Sequence, residues 1–162
     1  YLMDDKINQV SGMISTKTWQ LDRTEDNAFV HMRSESGIMG SLHSSWTEWK
    51  GYQFYVEAYG DRGMARAFYA PMSSSIITMD KPGGRTHTKR NFYLGSIFRE
   101  KFKGWQSTVI QTFVEELHDF INQANGGSSG AIASAEDGVR SIAIPNAVYE
   151  SDASNSIVTI SS

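Results

Sequence analysis

The sequence predicts an α+β fold: an open, predominantly antiparallel sheet with two C-terminal helices packed on one face, as a two-layer sandwich. Two observations support this prediction. Short segments with alternating apolar residues, separated by turn signals, fill the first two-thirds of the chain. Two segments with apolar residues at a helical spacing follow near the C-terminus. Strands that come first and helices that come last are typical of this class.

The predicted strands are short, and turn residues bound each of them. The fourth has an aromatic second face, because Tyr55 and Tyr59 alternate with the apolar Val56 and Ala58. The predicted strands cover residues 6–17, 28–33, 39–47, 52–59, 64–69 and 74–80, with a closing strand at 157–160. Residues 85–93 form a basic segment that we interpret as either a strand or an ordered loop.

Glycines mark two special places among these strands. Gly12 lies inside the first strand, where we expect a β-bulge that shifts the alternation. Gly60 and Gly63 flank a two-residue polar turn, which predicts a tight hairpin whose glycines supply positive φ angles.

The helical segments have clear start and stop signals. Residues 106–125 carry apolar side chains on one helical face and are followed by two glycines that end the helix. Ser134 is a favourable N-cap for a second helix that extends to about residue 154. Pro145 lies inside this helix, where its missing N–H and its ring are expected to kink or break it.

Asp137 lies in the first turn of this second helix. A carboxylate there is stabilised by the positive end of the helix dipole, so we assign Asp137 to capping rather than to acid catalysis. Gly138, the next residue, is expected to allow close packing of the helix on the sheet.

Length and charge limit the classes of protein. The 162 residues predict a single domain over positions 1–162. Fifteen basic and eighteen acidic residues give a formal charge of -3, so we expect no nucleic-acid partner. The absence of cysteine excludes disulfides and cysteine-bound metals.

The apolar runs are too short to span a bilayer, and no signal segment opens the chain. We therefore expect a soluble, cytoplasmic protein with no membrane partner. The chain starts at Tyr1 rather than at a methionine, which indicates a piece of a longer protein.

An ordered set of motifs resembles the C-terminal domain of the Gfo/Idh/MocA family of NAD(P)-dependent oxidoreductases. The match covers nearly the whole chain, and the order and spacing of the motifs carry it more than any one of them. The motifs are residues 25–28, 40–46, 56–60 with Gly63, 113–121, 136–138 and 147–151.

The resemblance implies a full-length protein whose N-terminal Rossmann domain binds NAD or NADP. This half would supply substrate contacts and the oligomer interface, and the substrate would be a sugar, a cyclitol or a related polyol. The chain departs from the family in three places. It has no GxGxxG fingerprint, it has no Glu-Lys-Pro segment with the family's catalytic lysine, and Pro145 stands where the family more often has a helix-compatible residue.

The family's catalytic Asp and His would lie upstream of Tyr1. We therefore expect no catalytic residue and no cofactor-binding residue in this chain, and no hydride transfer by it alone.

The candidate substrate-binding residues are His43, Trp46, Trp49 and Arg90. Sugars are bound by aromatic faces against their C–H surfaces and by directed hydrogen bonds to their hydroxyls, which such side chains provide. Each has an alternative: Trp46 could cap the core, Trp49 could lie in a subunit contact, and Arg90 could belong to a solvated basic loop.

The histidines are not predicted to form a metal site. His31 and His43 lie on neighbouring predicted strands and could approach each other, but further ligands for a zinc site are not evident, so we predict no metal. His87 and His118 are expected to be solvated.

The aromatic face with Tyr55 and Tyr59 would leave an exposed apolar patch on a monomer, which predicts a homo-oligomer through the open face of the sheet. The alternative to an oxidoreductase part is a non-enzymatic carbohydrate-binding or scaffold module, since the fold alone does not fix the function.

Overall fold

The computed structural model describes residues 5–19, 24–49, 51–69, 72–127 and 132–160. The chain divides into two compact units, Tyr1–Trp49 with Ala133–Ser162, and Lys50–Ile132. In chain order the elements are β1 (Ile7–Ser15), β2 (Asn27–Ser34), β3 (Met39–Ser45), β4 (Phe54–Gly60), β5 (Gly63–Tyr69), β6 (Ser73–Met79), β7 (Thr86–Phe92), α1 (Leu94–Lys103), α2 (Gln106–Ala124), α3 (Ala135–Ser154) and β8 (Val158–Thr159).

The first unit is a four-stranded antiparallel sheet with α3 packed on one face. Its strand order is β3-β2-β1-β8. The alternation of β1 and β2 sends every second side chain towards α3, and these residues form the core with one turn of the helix. The buried core consists of Val10, Val30, Ala147 and Val148.

The contact between β1 and α3 depends on the absence of a side chain at Gly12. A Cβ at this position would lie 2.7 Å from Cγ1 of Val148, closer than carbon atoms can approach. The backbone N–H of Gly12 donates to Oγ of the buried Ser151 at 3.0 Å, and that hydroxyl donates to the carbonyl of Ser156 at 2.6 Å. Helix and strand are therefore joined by close packing and by a buried hydrogen bond.

Helix α3 begins with a reciprocal capping box. The Ser134 hydroxyl accepts from the N–H of Asp137 at 3.1 Å, while Oδ2 of Asp137 accepts from the N–H of Ser134 at 2.9 Å. These hydrogen bonds from Ser134 hold the pKa of Asp137 below its ordinary value. The assignment of Asp137 to capping agrees with this geometry.

Pro145 does not break α3, which continues without interruption to Ser154. The following turns bury Ala147, Val148 and Ser151 against the sheet, and this packing offsets the lost backbone hydrogen bond. The expectation for Gly138 is wrong, because a Cβ there would have no atom within 4 Å. Gly12 in the sheet, not Gly138 in the helix, provides the close approach.

The second unit contains an antiparallel sheet of order β4-β5-β6-β7 together with α1 and α2. A two-residue turn joins β4 to β5, with Gly60 opposite Gly63, as predicted. Helix α1 is tied to the sheet by the Tyr69 hydroxyl, which donates to Oε1 of Glu100 at 2.9 Å. This hydrogen bond raises the pKa of Tyr69 because it favours the protonated phenol.

The predicted α+β class with antiparallel sheets is confirmed. The strands lie in two four-stranded sheets rather than in one, and α1 is a helix that the sequence analysis did not include. Residues 86–92 form strand β7, which settles the open choice between strand and loop. Within the part of the chain that the structure describes, no helix has the length and apolar character needed to cross a membrane.

Two expectations about glycines are corrected. The irregular register of β1 lies between Ile7 and Gln9, while Gly12 pairs regularly with Val30, so the bulge is not at Gly12. Neither Gly60 nor Gly63 has a positive φ. Glycine is needed at position 63 because a Cβ would collide with the carbonyl oxygen of Ile77 on the neighbouring strand.

Asp5 is expected to give the first unit a contribution to stability that acid removes. Hydrogen bonds from the hydroxyls of Ser34 and Ser36 are the main cause that lowers its pKa from 3.8 to about 2. A lowered folded-state pKa means that the ionised carboxylate stabilises the fold above its unfolded pKa of 3.8, and that this contribution is lost as the pH falls through about 2.

We expect an Asp5→Asn variant to melt at a lower temperature than the unsubstituted protein near neutral pH. The difference should narrow as the pH is lowered from about 4 to about 2, since the carboxylate then becomes neutral as well. Circular dichroism melts over this range measure it, and a difference that stays constant with pH would contradict this role of Asp5.

Candidate functional site

The second unit carries a shallow groove on the sheet face that includes Arg66 and Arg90. Its volume is about 380 Å³. The groove is lined by Arg66, Phe68, Ser73, Ser74, Ser75, Arg90 and Phe92. Strands β5, β6 and β7 supply all of these side chains, so the antiparallel register determines which of them are neighbours.

That register places charged residues in one row across the sheet. Glu57 pairs with Arg66, Arg66 with Ser75, and Ser75 with Arg90. Residues that lie directly opposite each other on neighbouring strands share a face of the sheet, so all four belong to the same face. The next row on this face contains Tyr55, Phe68, Ser73 and Phe92. A polar row therefore runs beside an aromatic one.

Arg66 is held by three partners. Its Nε lies 3.2 Å from Oε1 of Glu57, and its guanidinium carbon lies 5.0 Å from the ring centroid of Tyr55 and 5.4 Å from that of Phe68. Cation–π contacts and the ion pair together limit the orientations of this planar group. The guanidinium of Arg66 therefore lies against Glu57 and the two rings.

Glu57 also accepts a hydrogen bond from the Tyr59 hydroxyl at 3.1 Å. This hydrogen bond is the main cause that raises the pKa of Tyr59, with the negative charge of Glu57 acting in the same direction. Tyr59 therefore stays protonated at neutral pH. Tyr59 is 73% exposed and Tyr55 is 54% exposed, as the predicted aromatic patch requires.

Arg90, a predicted substrate-binding residue, lies on strand β7 and lines the groove. Among the residues that the structure describes, no acidic side chain forms an ion pair with it. It lies in a regular strand rather than in a loop, and it is exposed to solvent. The charge of Arg90 is available to a ligand.

His43, Trp46 and Trp49 belong to the first unit, so they are described apart from the groove. The exposed His43 lies on β3 and stacks on Phe29 of β2, with 4.1 Å between ring centroids and 7° between planes. Trp46 is 79% exposed and Trp49 is fully exposed. The alternative that Trp46 caps the core is therefore wrong.

Asp26 organises the chain around Trp46. The carboxylate of this buried residue accepts from the backbone N–H groups of Thr18 and Trp19, at 2.6 and 3.1 Å, and from the side chain of Asn27 at 2.9 Å. Desolvation favours the neutral acid and is the largest single influence on its pKa, but the N–H donors together outweigh it, and the pKa lies below its ordinary value.

The backbone of Trp46 is fixed on both sides. Its N–H donates to the carbonyl of Asp26 at 2.8 Å, and its carbonyl accepts from the indole N–H of Trp19 at 3.3 Å. Glu25, which precedes Asp26, accepts a hydrogen bond from the Tyr149 hydroxyl at 2.7 Å. This hydrogen bond raises the pKa of Tyr149. The motif at residues 25–28 thus has a structural function: it ties the strand end to α3 and positions an exposed tryptophan.

The histidines and acids do not assemble a metal centre in the described segments. No group of three or more candidate ligands occurs among residues 5–19, 24–49, 51–69, 72–127 and 132–160. His31 and His43 share a face of the first sheet, but His31 lies opposite Ser41 and His43 opposite Phe29. His87 lies 3.2 Å from Asp80 at the surface, and His118 is exposed on α2.

Sequence reasoning missed Arg66 and the serines of β6 as groove residues. A usable signal existed, because the predicted two-residue turn between Gly60 and Gly63 fixes the pairing of Glu57 with Arg66. The pairing of β6 with β5 was not predictable in the same way, since Ala70 and Pro71, which precede β6, carry no comparable turn signature.

Two antiparallel sheets, one of them covered by α3, define an α+β fold rather than a parallel βαβ unit. The chain belongs to the Gfo/Idh/MocA family, since the model of the oxidoreductase family C-terminal alpha/beta domain matches residues 1–160. The resemblance carried by the motifs is confirmed.

Proteins similar to this chain include dehydrogenases. The chain is 27% identical over 126 residues to myo-inositol 2-dehydrogenase of Thermotoga maritima. The aligned segment covers 78% of this chain and 34% of that protein. A levoglucosan dehydrogenase solved with NADH and levoglucosan shares the fold with a TM-score of 0.72 at 20% identity, over 97% of this chain and 46% of the other.

An oxidoreductase domain protein from Kribbella flavida has a TM-score of 0.73 at 16% identity, over 98% of this chain and 47% of the other. The chain thus spans between a third and a half of the length of these three relatives.

Proposed function

We propose that this chain is the substrate-binding and oligomerisation part of an NAD(P)-dependent sugar or polyol dehydrogenase. The observation that carries the proposal is the family match over residues 1–160 of a chain that spans 46% of a levoglucosan dehydrogenase. Another part of the longer protein would bind NAD or NADP and supply the catalytic base. Hydride transfer needs both, and this sequence contains no dinucleotide fingerprint.

Substrate contacts would come from Arg90 in the groove and from His43, Trp46 and Trp49 in the first unit. The exposed indole rings offer flat apolar faces for the C–H surfaces of a sugar, and the guanidinium of Arg90 offers several N–H donors for its hydroxyls. The relatives support this substrate class, since one is an inositol dehydrogenase and another was solved with levoglucosan.

The exposed rings of Tyr55 and Tyr59 would form the centre of a contact between copies of the protein. Both lie on β4, the edge strand, and on the face of the sheet that also carries Arg66 and Arg90. Aromatic rings are enriched in such contacts. Sedimentation should give a dimer or a larger assembly, and a monomer at high concentration would remove this part of the proposal.

A fluorescence titration with NADH tests whether nucleotide binding belongs to the other part of the protein rather than to this chain. The 162-residue chain should leave NADH fluorescence unchanged, whereas the longer protein that contains it should bind NADH. Stoichiometric binding of NADH by the chain alone would contradict the proposal. A gene whose upstream region encodes no GxGxxG segment would favour a carbohydrate-binding module instead.

A further inference from the structure

We propose that Asn125 is a site of spontaneous deamidation, in which its side-chain amide is converted into aspartate and isoaspartate. The site lies at the C-terminal end of α2, where Asn125 is the C-cap residue and Gly126 follows it. This is the only Asn-Gly pair in the sequence. The reaction needs no enzyme and no cofactor, so it is independent of the proposed dehydrogenase function.

Two neighbouring groups of the chain react with each other. The backbone nitrogen of Gly126 gives up its proton and attacks Cγ of Asn125, so that a C–N bond forms and the amide group leaves as ammonia. Water then opens the resulting five-membered succinimide at either carbonyl, which gives aspartate or isoaspartate. Glycine favours the first step because it has no Cβ to obstruct the approach of the amide carbon.

The reacting groups at the end of α2 are accessible. Asn125 and Gly126 are both exposed to solvent, and a Cβ built on Gly126 would have no atom within 4 Å apart from its chain neighbours. Among the residues that the structure describes, no hydrogen bond holds the side chain of Asn125. Packing therefore does not shield the site from water or restrain the amide.

Ring closure requires a local change in the backbone at this helix end. Asn125 has a φ of -87° and a ψ of 10°, and the N–H of Gly126 donates to the carbonyl of Gln123 at 2.9 Å. The Cα–C bond of Asn125 has to rotate to bring the nitrogen of Gly126 against Cγ, and this rotation breaks that hydrogen bond. Exposed helix ends open locally at little cost in free energy, so the folded protein can reach the reactive conformation.

The end of α3 provides a comparison within the same chain. Its C-cap is also an exposed asparagine, Asn155, but Ser156 follows it. The N–H of Ser156 donates to the carbonyl of Ser151 at 3.2 Å, and the carbonyl of Ser156 accepts from the buried Ser151 hydroxyl at 2.6 Å. The serine side chain and this anchored backbone should both slow ring closure at Asn155.

Deamidation changes the charge at the end of α2. A neutral amide becomes a carboxylate, which adds one negative charge to the formal charge of -3. The new charge lies at the negative end of the helix dipole, and the last turn of α2 has no basic residue to compensate it. We expect the modified protein to separate from the original as a more acidic species on ion exchange.

Timed incubation of the purified protein at mildly alkaline pH tests the proposal. Mass spectrometry of proteolytic peptides locates each deamidated residue, and a methyltransferase specific for isoaspartyl residues measures the product. We expect Asn125 to react first, and the isoaspartyl signal to be lost in Asn125→Gln, whose longer side chain cannot close the five-membered ring. Faster reaction at another asparagine, or an unchanged signal in Asn125→Gln, would overturn the site.

A Ser156→Gly variant separates the effect of the sequence from that of the structure. It gives the end of α3 the same Asn-Gly pair, while the Ser151 contacts to the backbone of residue 156 can remain. In the folded variant Asn155 should react more slowly than Asn125, and in concentrated urea the two should react at similar rates. Equal rates in the folded variant would overturn the explanation that the open end of α2 makes Asn125 reactive.

Discussion

A Gly12→Val variant is expected to lose about 1–3 kcal/mol of unfolding free energy, or not to fold. The added side chain has no room, since even a Cβ would lie 2.7 Å from Cγ1 and 3.3 Å from Cβ of Val148. Both residues are buried at the junction of β1 and α3, where the interior is close-packed. Helix and sheet would have to separate, and the core around Val10 would open.

Urea unfolding of three further variants identifies the cause of the loss. Gly12→Ala should also destabilise, and adding Val148→Ala should recover part of the loss because the clashing methyl group is removed. Gly138→Ala is the matched control: it adds the same methyl group in open space inside a helix and should be neutral or stabilising by up to about 1 kcal/mol. Equal losses for Gly12→Ala and Gly138→Ala would contradict the packing explanation.

A Ser151→Ala variant is expected to lose about 1–3 kcal/mol of unfolding free energy. The hydroxyl accepts from the N–H of Gly12 and donates to the carbonyl of Ser156, and it is shielded from water with 2% of Ser151 exposed. Its removal leaves a buried donor and a carbonyl without this partner, which is costlier than the loss of a solvated hydrogen bond.

Ser154→Ala provides the comparison for Ser151. Its hydroxyl bonds to the carbonyl of Glu150 on the same helix, but the residue is exposed, so its removal should change stability by less than about 0.5 kcal/mol. The free energies come from urea titrations monitored by circular dichroism. A Ser151→Ala variant as stable as Ser154→Ala would show that the hydroxyl does not hold α3 to β1.

Local patterns were sufficient to predict most of the elements. The helix predicted at residues 106–125 is α2 (Gln106–Ala124), and the one capped by Ser134 is α3 (Ala135–Ser154). Both have signals contained within their own segments. Helix α1 was missed because its apolar residues are interrupted by charged ones over only ten positions, and its N-cap residue, Tyr93, makes no side-chain capping hydrogen bond.

Contacts between segments that are distant in the sequence were harder to predict. The packing of Gly12 on Val148 joins positions far apart in the sequence, and the glycine alone is equally compatible with a bulge. The separation of the strands into two sheets also has no local signal, since alternation defines a strand but not its partner.

The candidate site was predictable only in part. Arg90 was selected from a basic segment, and the structure locates it in a groove with Arg66. His43, Trp46 and Trp49 were selected for their chemistry, and their participation in substrate binding stays a prediction. Arg66 was missed because its position beside Glu57 and two rings depends on the pairing of β4 with β5.

Oxidation of a sugar or a polyol by the longer protein is the decisive measurement for the proposed dehydrogenase function. The protein is incubated with NAD or NADP and a panel of these compounds, and formation of the reduced nicotinamide is followed by its absorbance. We expect NAD or NADP to be reduced with at least one member of the panel. A folded protein that binds neither nucleotide, or that reduces neither nucleotide with any member of the panel, would contradict the proposed dehydrogenase function.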